Sequence, residues 1–406
     1  MPASVLAAWL IVLQATAGPA MPQVVGSPFG PLQQIETDGG PTVAVRRNAA
    51  LPLVAIRLSF PVDDGDLPGA TRVLVELGRQ AMGGGAAAFG GRVSAERLPG
   101  FAVFSVVGPA RSFDAMVALL RRAVGEPSFD ADGLASARAA AAREVGSMLE
   151  RPETRTRALL RERLFLDSAG IEPGIPAVDS LTPDRLRHVW SAQFRLQRMR
   201  AVVVGDLPTP VIRAAFSHWR HRTIPGTVGG GIGAGPRPEP QVLFPWAGIG
   251  YRVQESAVAA VATELVRRKA VGSALRDGTA ELWWQRGGTG LVVLGAARDG
   301  TALDDTTEAG EARLRTYLRQ QIDAALSSAT PGAVAAAART VRVQLLMAAR
   351  TAAGAAEVMG RFMDASGRDD AAAELLAQLP EVTVGDVRAL LRRLLADTPA
   401  FVEVRP

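Results

Sequence analysis

Apolar residues along this chain fall into two alternating patterns: short runs of β-branched and aromatic residues, and longer stretches with apolar positions three and four apart. Residues 41–46, 54–60 and 101–107 (FAVFSVV) are of the first kind and read as strands. Residues 66–80, 114–124, 130–150 and 153–165 have helical spacing. Thr182 and Pro183 supply an N-cap and a first-turn proline for a further helix. A strand at 200–204 runs into Gly205-Asp206, and a helix follows from Pro208. A similar series then begins again. A strand at 248–253 leads into a helix from 255 to about 269, and two strands follow at 281–285 and 290–296. Long helices occupy 308–326 and 332 to about 363, a helix capped by Thr383 runs to 395, and a strand at 400–404 ends the series.

Between the two series lies 226–240, GTVGGGIGAGPRPEP, which has no apolar period and reads as a linker. Its glycines neither follow a strand nor open a helix, as a phosphate cradle requires. Strands followed by runs of helices on both sides imply an α+β protein of two similar domains, 21–225 and 241–406, each an antiparallel-rich sheet packed with several helices.

Composition narrows the chemistry. None of the 406 residues is cysteine, which excludes disulfides, thiolate nucleophiles and Cys-based metal sites, and only three are histidine. The formal charge is +5, carried by arginines interspersed with acids and by a single lysine, Lys269. No dense basic block with stacking aromatics exists, so nucleic acid is not an expected partner. Residues 4–17, SVLAAWLIVLQATA, have the length of a signal-peptide apolar region, with small residues Ala15 and Ala17, or Gly18 and Ala20, for cleavage. No Lys or Arg precedes that run, and a buried N-terminal helix is the other reading of it. A signal peptide over 1–20 implies export, to the periplasm or beyond. No later segment reaches transmembrane length without charge.

Four stretches in order resemble the pitrilysin/insulinase family of zinc metallopeptidases, the inverzincins. They are 42–66, TVAVRRNAALPLVAIRLSFPVDDGD, leading into Gly69; Glu126-Pro-Ser-Phe129 followed by 138–152; Asp179-Ser-Leu-Thr182 through Val202-Val-Val-Gly-Asp206; and Ser273-Ala-Leu-Arg276 with 336–406, including Leu379-Pro-Glu-Val-Thr383. An active member carries H-x-x-E-H on the helix after the glycine matching Gly69. Two histidines one turn apart hold a zinc, and the glutamate activates its water.

Here that helix begins GATRVLVELG. Arg72 stands at the first histidine, Val75 at the glutamate and Glu76 at the second histidine. Arg72 and Glu76, four apart, would form an exposed ion pair. Glu144 matches the third ligand, and with Glu76 it gives two carboxylates and no imidazole, a poor zinc site; a solvated helix glutamate is its other reading. His188 lies on the 183–194 helix, and His218 and His221 lie near Trp219, Arg220 and Arg222 without an acidic third ligand. The family's substrate-holding Arg and Tyr correspond to Arg276 and Trp283; a helix cap and a core residue are their alternative roles.

The resemblance therefore implies a non-catalytic peptidase-like chain without a cofactor. Its partner would be a related zinc-bearing peptidase subunit, and together they would enclose unfolded peptides. Two other readings stay open. One is an active zinc metalloendopeptidase with a divergent site, needing Glu76, Glu144 and a histidine from elsewhere. The other is a structural or peptide-binding envelope protein.

Overall fold

The computed structural model describes residues 29, 32–37, 41–49, 52–63, 65, 67–125, 127–165, 174–217, 219, 244–271, 273–285, 288–298 and 307–405. The expected signal peptide and linker, and His218 and His221, lie outside these residues.

The first sheet contains β1 (Gln33–Ile35), β2 (Thr42–Arg47), β3 (Leu53–Pro61), β4 (Arg92–Leu98), β5 (Phe101–Pro109) and β6 (Arg200–Gly205), in the order β1-β2-β6-β3-β5-β4. Only β2 and β6 run parallel. Around it are α1 (Ala70–Met82), α2 (Phe113–Gly125), α3 (Ala131–Glu150), α4 (Pro152–Leu164), α5 (Ile175–Asp179), α6 (Pro183–Gln193) and α7 (Thr209–Ser217). The second sheet is antiparallel, with β7 (Trp246–Val253), β8 (Leu275–Gln285), β9 (Gly288–Ala297) and β10 (Ala400–Val404) in the order β10-β7-β9-β8. Its helices are α8 (Ala257–Val271), α9 (Glu308–Ser327), α10 (Pro331–Ala348), α11 (Ala352–Ser366), α12 (Ala371–Gln378) and α13 (Val384–Ala396).

The two halves share one topology. Strand, helix, hairpin and a late returning strand give β6-β3-β5-β4 in the first and β10-β7-β9-β8 in the second, with α1 and α8 in equivalent places. The fold is thus α+β and internally duplicated.

Two local expectations are corrected. The long helix expected over 332–363 is two helices, because Thr351 Oγ1 accepts from the Gly354 amide at 3.0 Å and caps a new helix. The strand β4 was not expected: RVSAERL carries few strand-forming residues, and it is held as an edge strand by its register with β5.

Each half lays a helix on the other's sheet. α4 packs on β7 and β10, and α11 on β3 and β6. Gly248 and Gly250 in β7 make the first contact possible, since a Cβ at either would press on Leu160 or Leu164 of α4. Gly360 of α11 does the same for Arg57, whose guanidinium fills the space a Cβ would need.

Arg57, in the middle of β3, is 1% exposed. Its Nε donates to Glu357 Oε2 at 2.9 Å, and its Nη1 lies 2.8 Å from Asp364 Oδ2. Ser59 Oγ donates to Asp364 Oδ1 at 2.5 Å, and Arg200 Nη1 donates to the carbonyls of Met363 and Asp364. Burial pushes the Asp364 carboxyl up against the opposing pull of Arg57. At Glu357 burial also pushes up, but the charges of Arg57 and Arg361 prevail and hold it below the usual carboxylate range.

Arg57→Met would leave Asp364 buried without its nearest counter-charge, at a cost of about 3–5 kcal/mol. The cost should shrink on acidification. Burial holds the folded-state pKa of Asp364 above its unfolded value, so protonation favours the folded variant as pH falls. Asp364 is raised in the parent as well, but the variant lacks the opposing pull of Arg57 and gains more over this range, while the depressed Glu357 stays ionised through it. Urea melts of both chains at about pH 7.5 and about pH 5 test this, and a deficit that is equal or larger at the lower pH is the contrary result.

Candidate functional site

Gly69, left-handed at φ 87°, turns the chain into α1, which therefore starts at Ala70 and not at residue 66. The helix packs against α2, α3 and β4. This places Arg72 and Val75 inside, at 6% and 5% exposure. Arg72 does not pair with Glu76. Its Nη1 donates to Glu144 Oε1 of α3 at 2.6 Å, and its Nη2 lies 3.7 Å from Met148 Sδ. Glu76 instead accepts two bonds from Arg79, at 2.7 and 2.5 Å. The expectation of an Arg72–Glu76 pair fails because residue 72 points at α3 while residue 76 sits near the helix surface beside Arg79.

Residues 72 and 144, the two that the resemblance matched to the first and third ligands, are thus brought together as a guanidinium–carboxylate pair. Glu144, whose side chain is 61% exposed, accepts from that guanidinium while still facing water. Arginine has no lone pair to offer a cation, and Val75 cannot accept a proton from water. Among the described residues, no group of three or more His, Asp or Glu side chains is placed to hold a metal ion. His188 is half-buried on α6.

Arg276 and Trp283 stand apart on β8. They face Ala296 and Gly290 of β9, positions six residues apart and so about 20 Å distant along the strand. A bulge between Arg276 and Thr279 lies between them, and Asp277 there takes a left-handed φ of 54°. Arg276 is exposed, with its guanidinium 5.1 Å from the centre of the Phe244 ring. Trp283 is 8% exposed and packs with Leu160, Leu164 and Phe165. Its Nε1 donates to Glu281 Oε2 at 2.8 Å, and Arg161 stacks on its ring at 4.7 Å. Glu281 also accepts from Arg157 of α4 at 2.5 Å. Burial pushes the Glu281 carboxyl up, and the bonds from Arg157 and Trp283 more than reverse this.

Trp283 lies on the wall of a cavity of about 520 Å³ between the halves. Its other walls include Arg161 of α4, Trp284 and Gln285 of β8, and the β4–β5 turn at Pro99. Sequence reading passed over Trp284 and Gln285. The clue was present in a Trp-Trp-Gln run where a sheet edge begins its turn, but nothing local shows that the partner wall comes from residues 98–101.

Among solved structures, the fold matches three bacterial chains. A chain from Pseudomonas fluorescens described as a peptidase M16 inactive domain is 16% identical, with a TM-score of 0.70 over 92% of this chain and 97% of that one. An M16-like peptidase from Alicyclobacillus acidocaldarius is 14% identical, with a TM-score of 0.69 over 93% and 98%. A protease from Helicobacter pylori is 11% identical, with a TM-score of 0.73 over 93% and 100%. No family model matches the sequence. No curated protein matches it either. The chain thus has the insulinase-like, M16 peptidase fold over nearly its whole length.

A double-mutant cycle on Arg72→Met and Glu144→Gln should give a coupling of about 1 kcal/mol, since one partner is buried and the other faces water. Additive single-mutant effects in urea melts are the contrary outcome.

Proposed function

We propose that this chain is a non-catalytic insulinase-type subunit that partners a related zinc-bearing peptidase and supplies half of the space enclosing an unfolded peptide. One observation carries the reading. Where the fold's active members would hold zinc, an internal cation already occupies the third-ligand carboxylate: Arg72 on Glu144. The second histidine position points its glutamate to Arg79, and the position of the water-activating glutamate is a buried valine. An active site needs an open coordination position and a base beside it, and this arrangement offers neither. The duplicated fold, with its tie between α1 and α3 intact, supports retention of a binding or assembly role.

The reading includes export through 1–20, no resident metal, and Arg276 as an exposed contact for peptide or partner. No helix among the described residues is long and apolar enough to cross a membrane.

Affinity purification of the tagged chain from its native host tests the assignment. The expected outcome is recovery with a related chain carrying H-x-x-E-H. The mixture should cleave unfolded peptides in a chelator-sensitive manner, whereas this chain alone should leave them intact. Recovery as a lone monomer, or stoichiometric zinc on the isolated chain that disappears in Glu144→Ala, would overturn it.

A further inference from the structure

Two cavities meet α10 on different faces. Val341 and Gln344 border the one between the halves, whereas Val334, Ala335 and Ala338 line a separate cavity of about 420 Å³. The far wall of this second cavity is the segment that joins α12 to α13, through Leu379, Pro380 and Val382. Its volume falls within the range of ordinary ligand sites.

Two cations complete the lining. Arg339 and Arg342 are both exposed and, being three apart, lie on one side of α10. Neither has a hydrogen-bond or ion-pair partner among the described residues. At the cavity between the halves the arginines are matched by acids, Arg267 by Glu264 and Arg361 by Glu357. No acid lines the second cavity. Glu381 and Asp386 are close in sequence to its far wall but do not border it, and Asp386 Oδ2 accepts from both the Thr383 hydroxyl, at 2.6 Å, and the Thr383 amide, at 3.2 Å.

An apolar pit beside two unmatched guanidiniums is complementary to a molecule with an apolar body and an anionic end. Each guanidinium presents a fork of donors suited to a carboxylate, and the arginine stems extend the apolar wall. A peptide chain is a poorer fit. Apart from the guanidiniums, the lining side chains offer one polar group, the Thr383 hydroxyl, and that is engaged in its helix cap. Main-chain N–H and C=O groups entering the pit would lose water without gaining partners, whereas an alkyl chain has no such groups to satisfy.

We propose that this cavity binds a free medium-chain fatty carboxylate, with the chain between α10 and residues 379–384 and the carboxylate on Arg339 and Arg342. A bound chain would tie α10 to the joint between α12 and α13. The site is separate from the cavity between the halves, so it stands or falls independently of the partner-subunit reading.

The test titrates the full chain with hexanoate, octanoate and decanoate at neutral pH in a calorimeter. One site per chain is expected, tightening about fourfold for each added methylene. Decanol should bind at least tenfold more weakly than decanoate, and the double variant Arg339→Gln, Arg342→Gln should bring decanoate down to the level of decanol. Ala335→Trp, at an exposed position of the wall, should melt at the parent temperature and abolish binding by filling the cavity. Arg213→Gln, on the exposed side of α7, should bind decanoate as the parent does. Affinity that ignores chain length would overturn the apolar pit, and decanol bound as tightly as decanoate would overturn the role of the arginines. Failure of decanoate to bind would overturn the proposal, whether an amphipathic helical peptide with acidic flanks, vesicles of phosphatidylglycerol, a second copy of the chain or nothing at all occupies the cavity in its place.

Discussion

A guanidinium sealed from water persists only where carboxylates reach it, and at Arg57 both carboxylates come from the other half of the chain. The contact fixes α11 against the first sheet at a distance that only glycine at 360 permits. On the opposite side α4 is fixed on the second sheet by the bare backbone of Gly248 and Gly250. The halves are therefore interleaved, and the cavity between them has walls whose separation is set by these two contacts. Asp364 joins the two themes, since it meets Arg57 on one side and borders the cavity on the other.

The Arg72–Glu144 pair ties α1 to α3 electrostatically without offering metal chemistry. A metal ion would bind helix to helix and still offer a free position to water. A guanidinium also draws the α3 carboxylate to α1, but its valences are all used by protons, and it presents no acidity or vacancy to a substrate. Val75 belongs to the core, so α1 serves packing along its inner face.

The duplicated α+β plan was legible because it follows from periodicity: most strands and helices lie within a few residues of where the apolar pattern puts them. The absence of H-x-x-E-H from the helix after Gly69 was legible too, since it needs only the residue identities. Pairing was less so. Spacing alone offered Glu76 to Arg72, and the true partner lies 72 positions away on another helix. Trp283 was readable as a candidate, but its commitment to Glu281 and Arg161 depends on how α4 crosses from the other half. At Gln285 the Trp-Trp-Gln run marked a place but not its state, because an unmet hydrogen bond is a property of the assembled surroundings and not of a residue type.

The crossing of α4 also bears on how the chain is made. During synthesis α4 emerges well before β7, β9 and β10, so Leu160, Leu164 and Phe165 have no surface to cover them until those strands exist. β10, with Val402 in the same cluster, comes after every helix. The first half has a core of its own, but this face of α4 stays uncovered until the second half exists. Covering that face is the task of β7, whose two glycines let α4 lie against it.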